Sequence, residues 1–199
     1  LSGAGIRNIN ITTHFEAEKI REHVGDGSPF DANVLYSHED EPLGTAGALR
    51  QMTLDPSEPV LVINGDILTT VNYAAMLEYH REHQADLTVC VRHYTMTVPY
   101  GVIDCEGPLV KTIREKPKVG LFVNAGIYLI EPSVCQFVPA GQRFDMTDLI
   151  GVLIAQGRRV ASFPVHEYWI DIGQHEDYCQ AQSDVALGKL GTAQGGGLS

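Results

Sequence analysis

Polar and apolar residues alternate along 7–12 with the two-residue period of a strand, and 15–24 sets Phe15, Ile20 and Val24 on one helical face. The turn cluster Gly25-Asp26-Gly27-Ser28-Pro29 separates these from a second strand at 32–37. The acidic stretch 38–47 carries two glycines and reads as a loop opening onto a helix at 46–52. The apolar run 60–63 is rich in β-branched residues, the signature of a central strand covered on both faces. An amphipathic helix at 72–83 turns Ala75, Met76 and Tyr79 inward. Further strands are expected at 87–92, 102–104, 109–113 and 122–130, joined by turns at Pro99-Tyr100-Gly101 and Glu106-Gly107-Pro108. A helix at 148–156 is closed by Gly157, Arg158 and Arg159 lead into a strand, and a last helix covers 175–187. The glycine-rich stretch 188–199 reads as a flexible tail.

Alternating strands and helices in the first half predict a parallel sheet with crossover helices, turning mixed in the β-rich second half. The expectation is an α/β, Rossmann-like, mainly parallel sheet with helices on both faces, built as one domain over 1–187. Two apolar runs in it end in carboxylates. Val60-Leu61-Val62-Ile63-Asn64-Gly65-Asp66 and Tyr168-Trp169-Ile170-Asp171-Ile172-Gly173 each read as a buried strand with an aspartate at its mouth, where open α/β sheets bind ligands. Either aspartate alone reads equally well as a helix N-cap. Together they are able to share one divalent cation of the kind a nucleoside triphosphate needs.

Composition narrows the partners. An apolar share of 44% and a charged share of 20% over 199 residues belong to a globular domain with a substantial core. A formal charge of −11 argues against nucleic acid or an anionic membrane as partner, so phosphate chemistry must rest on a few placed cations. Cys90, Cys105, Cys135 and Cys179 form no C-x-x-C pair, and three of them lie in core-like stretches. Reduced thiols of a cytoplasmic protein are expected, without a zinc site. His80 and His83 share a helical face but have no third ligand near them in sequence, so a metal pair is rejected.

Pro42-Leu43-Gly44-Thr45-Ala46-Gly47 puts glycines at a loop-to-helix junction, where a base or phosphate is able to approach the backbone, with Gly44 presenting its amide and Thr45 capping the helix. That junction is followed in order by Asn64-Gly65-Asp66, Pro99-Tyr100-Gly101-Val102, Glu115-Lys116-Pro117, Asn124-Ala125-Gly126-Ile127-Tyr128 and Trp169-Ile170-Asp171-Ile172-Gly173. In these six motifs the chain resembles the sugar-1-phosphate nucleotidyltransferases, and most of all their mannose-1-phosphate and heptose-1-phosphate guanylyltransferase-like branch. The resemblance implies joining an NTP, GTP by preference, to a sugar-1-phosphate, with pyrophosphate released and Mg²⁺ held by Asp66 and Asp171. It implies no protein nucleophile, since in-line positioning and charge neutralisation suffice.

The resemblance also assigns Lys116 to the sugar phosphate and to catalysis beside Asp66 and Asp171. It places Tyr100, Gly101, Glu115, Asn124, Gly126 and Trp169 around the sugar, and Gly44, Thr45 and Asp66 on the nucleotide. Glu39 stands shortly before Gly44, where related enzymes often read the base edge; a carboxylate there accepts from N1–H and N2–H of guanine. The same Glu39 is as readily part of a solvated acidic loop.

One family feature is not among these residues: the glycine-rich basic loop after the first strand, which holds the triphosphate. Ser2-Gly3-Ala4-Gly5-Ile6 reads as the end of a helix running into a strand, so an upstream βαβ start is expected to be missing from the chain. Loss of a central strand exposes sheet edges, which predicts poor stability or self-association into a homo-oligomer. The rival reading is a non-catalytic nucleotide-sugar-binding or regulatory homologue that keeps only the sugar half of the pocket. A metal-dependent glycosyltransferase is disfavoured, because Gly65-Asp66 lacks the second close carboxylate of a D-x-D pair.

Overall fold

The computed structural model describes residues 1–190. Along the chain run β1 (Asn8–Thr13), α1 (Ala17–Val24), β2 (Asn33–His38), the single turn α2 (Gly44–Gly47), β3 (Val60–Ile63), β4 (Ile67–Thr69) and α3 (Tyr73–Glu82). There follow β5 (Leu87–Thr97), β6 (Val102–Glu106), β7 (Leu109–Arg114), β8 (Lys118–Ile130), α4 (Met146–Ala155), β9 (Val160–Pro164), β10 (Trp169–Asp171) and α5 (His175–Ala186). The tail expected at 188–199 lies for the most part outside the described residues.

A mixed sheet with the order β3-β8-β5-β9 forms the centre. β8 is antiparallel to both of its neighbours, whereas β9 is parallel to β5. β1 and β2 form their own parallel pair, and β6 and β7 an antiparallel hairpin. The expected α/β class and mixed sheet are found.

The two-residue period of β8 divides the core. Tyr128 and Ile130 face one side, where α4 supplies Leu149 and Leu153; Ala125, Ile127 and Leu129 face the other, where α3 supplies Met76. Each fully buried aliphatic side chain here stabilises the fold by about 1.5–3 kcal/mol. β3 contributes to both faces yet stays only half-buried, because it is an edge strand of this sheet and not the fully covered central strand expected.

His80 is buried and accounts for itself. Its ring nitrogens contact Thr88 Oγ1 at 2.8 Å and Glu131 Oε1 at 3.2 Å, tying α3 to β5 and to the end of β8. His83 instead stacks on Tyr79.

Four further expectations change. Asp66 does not end a strand: β3 stops at Ile63, and Asn64-Gly65-Asp66 turns the chain into β4, a strand too short to show a period. β10, which carries Asp171, is antiparallel to β4 and not part of a parallel array. The helix expected at 46–52 is one α turn followed by a 3-10 turn, since Gly44 and Gly47 weaken a helix. Only two cysteines are buried, Cys90 and Cys135; Cys105 and Cys179 sit on exposed faces of β6 and α5. All four thiols are free, and burial pushes that of Cys90 up to about 12.

A bulge in β8 sets up the site. Between the pairs Val89↔Tyr128 and Val91↔Asn124 the register shifts, so Ala125, Gly126 and Ile127 all stand opposite Cys90. Asn124 clamps the bulge, its Oδ1 accepting from Gly126 N–H at 3.0 Å and its amide donating to Tyr128 Oη at 2.7 Å. Gly126 sits at φ 71°, and a Cβ there would lie 2.9 Å from Asn64 Nδ2. Gly126→Ala therefore loses about 1–3 kcal/mol in a urea melt. Gly151→Ala, in α4 with open space around it, is the control and is neutral or gains up to about 1 kcal/mol.

Candidate active site

The β4–β10 pair brings the two aspartates together. Its register sets Asp171 opposite Ile67, and the Ile172 N–H donates to the Asp66 carbonyl at 2.8 Å. The other end is closed by the Tyr168 carbonyl, which accepts from Thr70 N–H at 3.0 Å and Thr69 Oγ1 at 2.8 Å. The turn holding Asp66 is pinned to the bulge of β8 by Asn64 N–H donating to the Gly126 carbonyl at 2.9 Å. β10 is held from behind by α5, where buried Asp184 accepts from Tyr168 Oη at 2.8 Å.

Partial desolvation, reinforced by the carboxylates of Asp66 and Asp177, holds the Asp171 carboxyl above the usual carboxylate range. An acid raised by its like-charged neighbours is one whose ionised form a cation would favour. Asp177 is committed elsewhere as well: it accepts from Gln174 N–H at 3.1 Å in the capping box of α5. Among the described residues no group of three or more His, Cys, Asp and Glu forms a metal cage. Two carboxylates with the remaining positions left to water and phosphate suit Mg²⁺, which seldom takes an all-protein shell.

Asp171 lines a cleft of about 450 Å³ together with Arg92, Trp169, Ile170, Gly173, Gln174 and Asp177. Trp169 is locked by its indole N–H, which donates at 2.8 Å to the carbonyl of Ala125 in the bulge. Arg92 is the residue that sequence reasoning missed. It follows the apolar run of β5, where the sequence pattern marks it only as a strand end. The available signal was a guanidinium continuing a buried strand with no acidic residue near it in sequence.

The other expected residues gather in two places outside that cleft. Tyr100, Gly101, Glu115 and Lys116 meet at the base of the β6–β7 hairpin, where Lys116 N–H donates to the Tyr100 carbonyl at 3.3 Å. Gly101 leaves room for the Glu115 carboxylate, whose Oε2 would lie 3.1 Å from a Cβ there. Lys116 holds φ 44°, a backbone state uncommon for a side chain of its size.

Glu39, Gly44 and Thr45 lie after β2. Gly44 does approach backbone closely, but it is the chain's own: a Cβ there would meet the Asp145 carboxylate and the Phe144 carbonyl. Thr45 caps a different helix from the one expected, its Oγ1 accepting from Met146 N–H at 2.8 Å at the start of α4. The reason is Asp145, which accepts from Thr45 N–H at 3.0 Å and locks the two segments together. Glu39 Oε2 accepts from Leu43 N–H at 3.2 Å, while its Oε1 is buried without a partner among the described residues. Thr13, whose carbonyl accepts from Glu39 N–H at 2.9 Å, also has a buried, unpartnered Oγ1 among the described residues. Asn124 keeps one amide proton and one lone pair beyond its clamp.

The model of the family described as nucleotidyl transferase matches residues 1–187. The chain belongs to that family. It is 32% identical over 188 residues to mannose-1-phosphate guanylyltransferase 1 of Arabidopsis thaliana, covering 89% of this chain and 52% of that protein. It is 30% identical over 183 residues to the catalytic subunit beta of mannose-1-phosphate guanylyltransferase of Danio rerio, covering 88% of this chain and 51% of that one. The chain thus spans about half the length of the curated relatives it matches. The crystal structure of HddC from Yersinia pseudotuberculosis superposes with a TM-score of 0.69 at 25% identity, covering 92% of this chain and 81% of the other.

Repulsion between Asp66 and Asp171 exists only while both are ionised. A raised folded-state pKa makes an acid's charge cost stability above that pKa, and the cost fades as pH falls through it. Asp171→Asn in Mg²⁺-free buffer is accordingly expected to raise Tm at pH 7, with the gain vanishing near pH 4 in a thermal melt series.

Proposed function

We propose that this chain carries out nucleotidyl transfer from GTP to a sugar-1-phosphate, mannose-1-phosphate by preference, giving a nucleotide-diphosphate sugar and pyrophosphate. The observation carrying this reading is Asp171 in a cleft walled by Trp169, with Asp66 brought beside it by the β4–β10 ladder, in a chain of the nucleotidyl transferase family. The guanylyltransferase names of the relatives support the donor and the sugar.

The reaction attacks the α-phosphorus with a sugar-phosphate oxygen and expels pyrophosphate, so the protein needs to align and neutralise and forms no covalent bond. Asp66 and Asp171 would hold Mg²⁺, which when bound supplies charge neutralisation to the phosphate oxygens. Lys116 is a fixed cation for the sugar phosphate, and its strained backbone agrees with a side chain held for a task. Glu115, Gly101 and Tyr100 border it, and Asn124 has hydrogen-bonding capacity left for a sugar hydroxyl.

Glu39 and Thr13 support the choice of guanine. Glu39 Oε1 and Thr13 Oγ1 are each without a donor among the described residues, and guanine offers N1–H and N2–H. The four free thiols agree with a reducing compartment such as the cytoplasm. Among the described residues no helix is long and apolar enough to cross a membrane.

Incubation with a panel of NTPs and sugar-1-phosphates in Mg²⁺, read as pyrophosphate release, is expected to give the highest rate with GTP and mannose-1-phosphate. Asp66→Ala or Asp171→Ala removes a ligand to a cation worth several kcal/mol to the transition state, so each lowers kcat by roughly a hundredfold or more. Near-normal turnover in both variants refutes the assignment. Glu39→Gln replaces an acceptor with a group that also donates, and the preference for GTP over UTP should shrink; an unchanged preference removes Glu39 from the base site. Lys116→Ala should raise KM for the sugar phosphate more than KM for the NTP.

A further inference from the structure

Four hydrogen bonds fasten the turn at 43–46 to the start of α4. Phe144 N–H donates to the Leu43 carbonyl at 2.8 Å, and Ala46 N–H donates to the Phe144 carbonyl at 2.9 Å. Thr45 N–H donates to Asp145 Oδ1 at 3.0 Å, and Thr45 Oγ1 accepts from Met146 N–H at 2.8 Å. Gly44, at φ 78°, is what admits the carboxylate, since a Cβ there would lie 2.5 Å from Asp145 Oδ1. The Thr45 amide, with Arg143 adding to it, holds the Asp145 carboxyl below the usual carboxylate range, so it is ionised at neutral pH.

The helix alone does not need a carboxylate at this position. Asp145 is the N-cap of α4 and shares a capping box with Asp148, work that a serine does as well. The bond to Thr45 goes beyond capping, because it joins α4 to a segment 100 positions earlier in the chain. That segment leads to Glu39. Leu43, whose carbonyl is held by Phe144, gives its N–H to Glu39 Oε2 at 3.2 Å, the one hydrogen bond of that carboxylate among the described residues. Glu39 Oε1 stays buried and unpartnered among the described residues, as does Oγ1 of Thr13, whose side chain is buried. The free oxygen of Glu39 is therefore set in place by the turn, and the turn is set in place by Asp145.

We propose that Asp145 is a positioning residue for base recognition: it seats the turn at Gly44 and Thr45, the turn fixes the Leu43 amide, and that amide sets the Glu39 carboxylate against a guanine edge. Asp145 itself touches no substrate. The assignment rests on Glu39 as the base contact of the nucleotidyl-transfer reading. It makes nucleotide choice depend on α4, a helix that otherwise packs the core through Leu149 and Leu153.

Isothermal titration calorimetry of the whole chain with GTP and with UTP in Mg²⁺ tests this without requiring turnover. Asp145→Ser keeps a favoured N-cap, but its hydroxyl ends one bond short of the oxygen that meets Thr45. GTP affinity should fall roughly tenfold while UTP affinity stays within about twofold, as for a charged hydrogen bond withdrawn from one base site. Asp145→Asn retains an isosteric oxygen for Thr45 and should keep the preference for GTP within about threefold of wild type. If the Ser variant melts below the assay temperature, Asp145→Thr takes its place as a capped comparison. The double variant Glu39→Gln with Asp145→Ser should lose no more preference than Glu39→Gln alone, because the two residues act through one chain of contacts. Additive losses in the double variant overturn the inference, as does equal weakening of GTP and UTP, which makes Asp145 a helix cap only. Equal loss of preference in the Asn and Ser variants overturns it too, and so does a wild-type chain that does not favour GTP. Pyrophosphate release by the same preparation reports separately on transfer: a preference that shifts as expected without pyrophosphate keeps the role of Asp145 and ends the transfer reading.

Discussion

The hydrogen bond from the Ile172 amide to the Asp66 carbonyl is the constraint from which the site is built. It closes the ladder of β4 and β10 and sets two acidic residues from opposite halves of the chain side by side, where desolvation and the charge of Asp66 hold the Asp171 carboxyl above its usual range. Like charges held close cost stability unless a cation offsets them. Everything else near the cleft serves to hold that ladder still: the turn at Asn64 on one side, Tyr168 and Asp184 on the other, and the indole of Trp169 across the top.

The bulge of β8 links fold to site through one strand. Below it, β8 alternates regularly between two cores and ties α3 and α4 to the sheet. At Ala125-Gly126-Ile127 the ladder to β5 breaks, and the Gly126 and Ala125 carbonyls accept from Asn64 and Trp169. Asn124 and Gly126 thus act first as architecture. The bulge is the point to which the turn of Asn64 and the indole of Trp169 are both anchored.

Elements with a strong period were legible in the sequence. β1, β2 and α3 stand close to where alternation and helical spacing put them, because each buries one face, and the core half of β8 was marked by an apolar run covered on both. β4 and β10 were not legible as a pair: three residues are too few for a period, and pairing across about a hundred positions leaves no local trace. The outer halves of β5 and β8 were missed for another reason. Tyr94, Leu121 and Phe122 stand exposed on a ribbon that buries neither face, so the hydrophobic pattern carried no information there. Among site residues, aspartates and glycines announced themselves by their motifs, whereas Arg92 did not, since a long cation beside a strand reads as surface until its neighbours are known. Thr45 misled in the opposite way, its partner being α4, far along the chain.

The central claim is that Asp66 and Asp171 hold one divalent ion between them. Titration of the chain with Mn²⁺, followed by water-proton relaxation and repeated for Asp66→Asn and Asp171→Asn, tests it most directly. The account predicts a site of unit stoichiometry that each single substitution abolishes, and that Mg²⁺ displaces competitively. Retention of wild-type Mn²⁺ affinity in either single variant contradicts it.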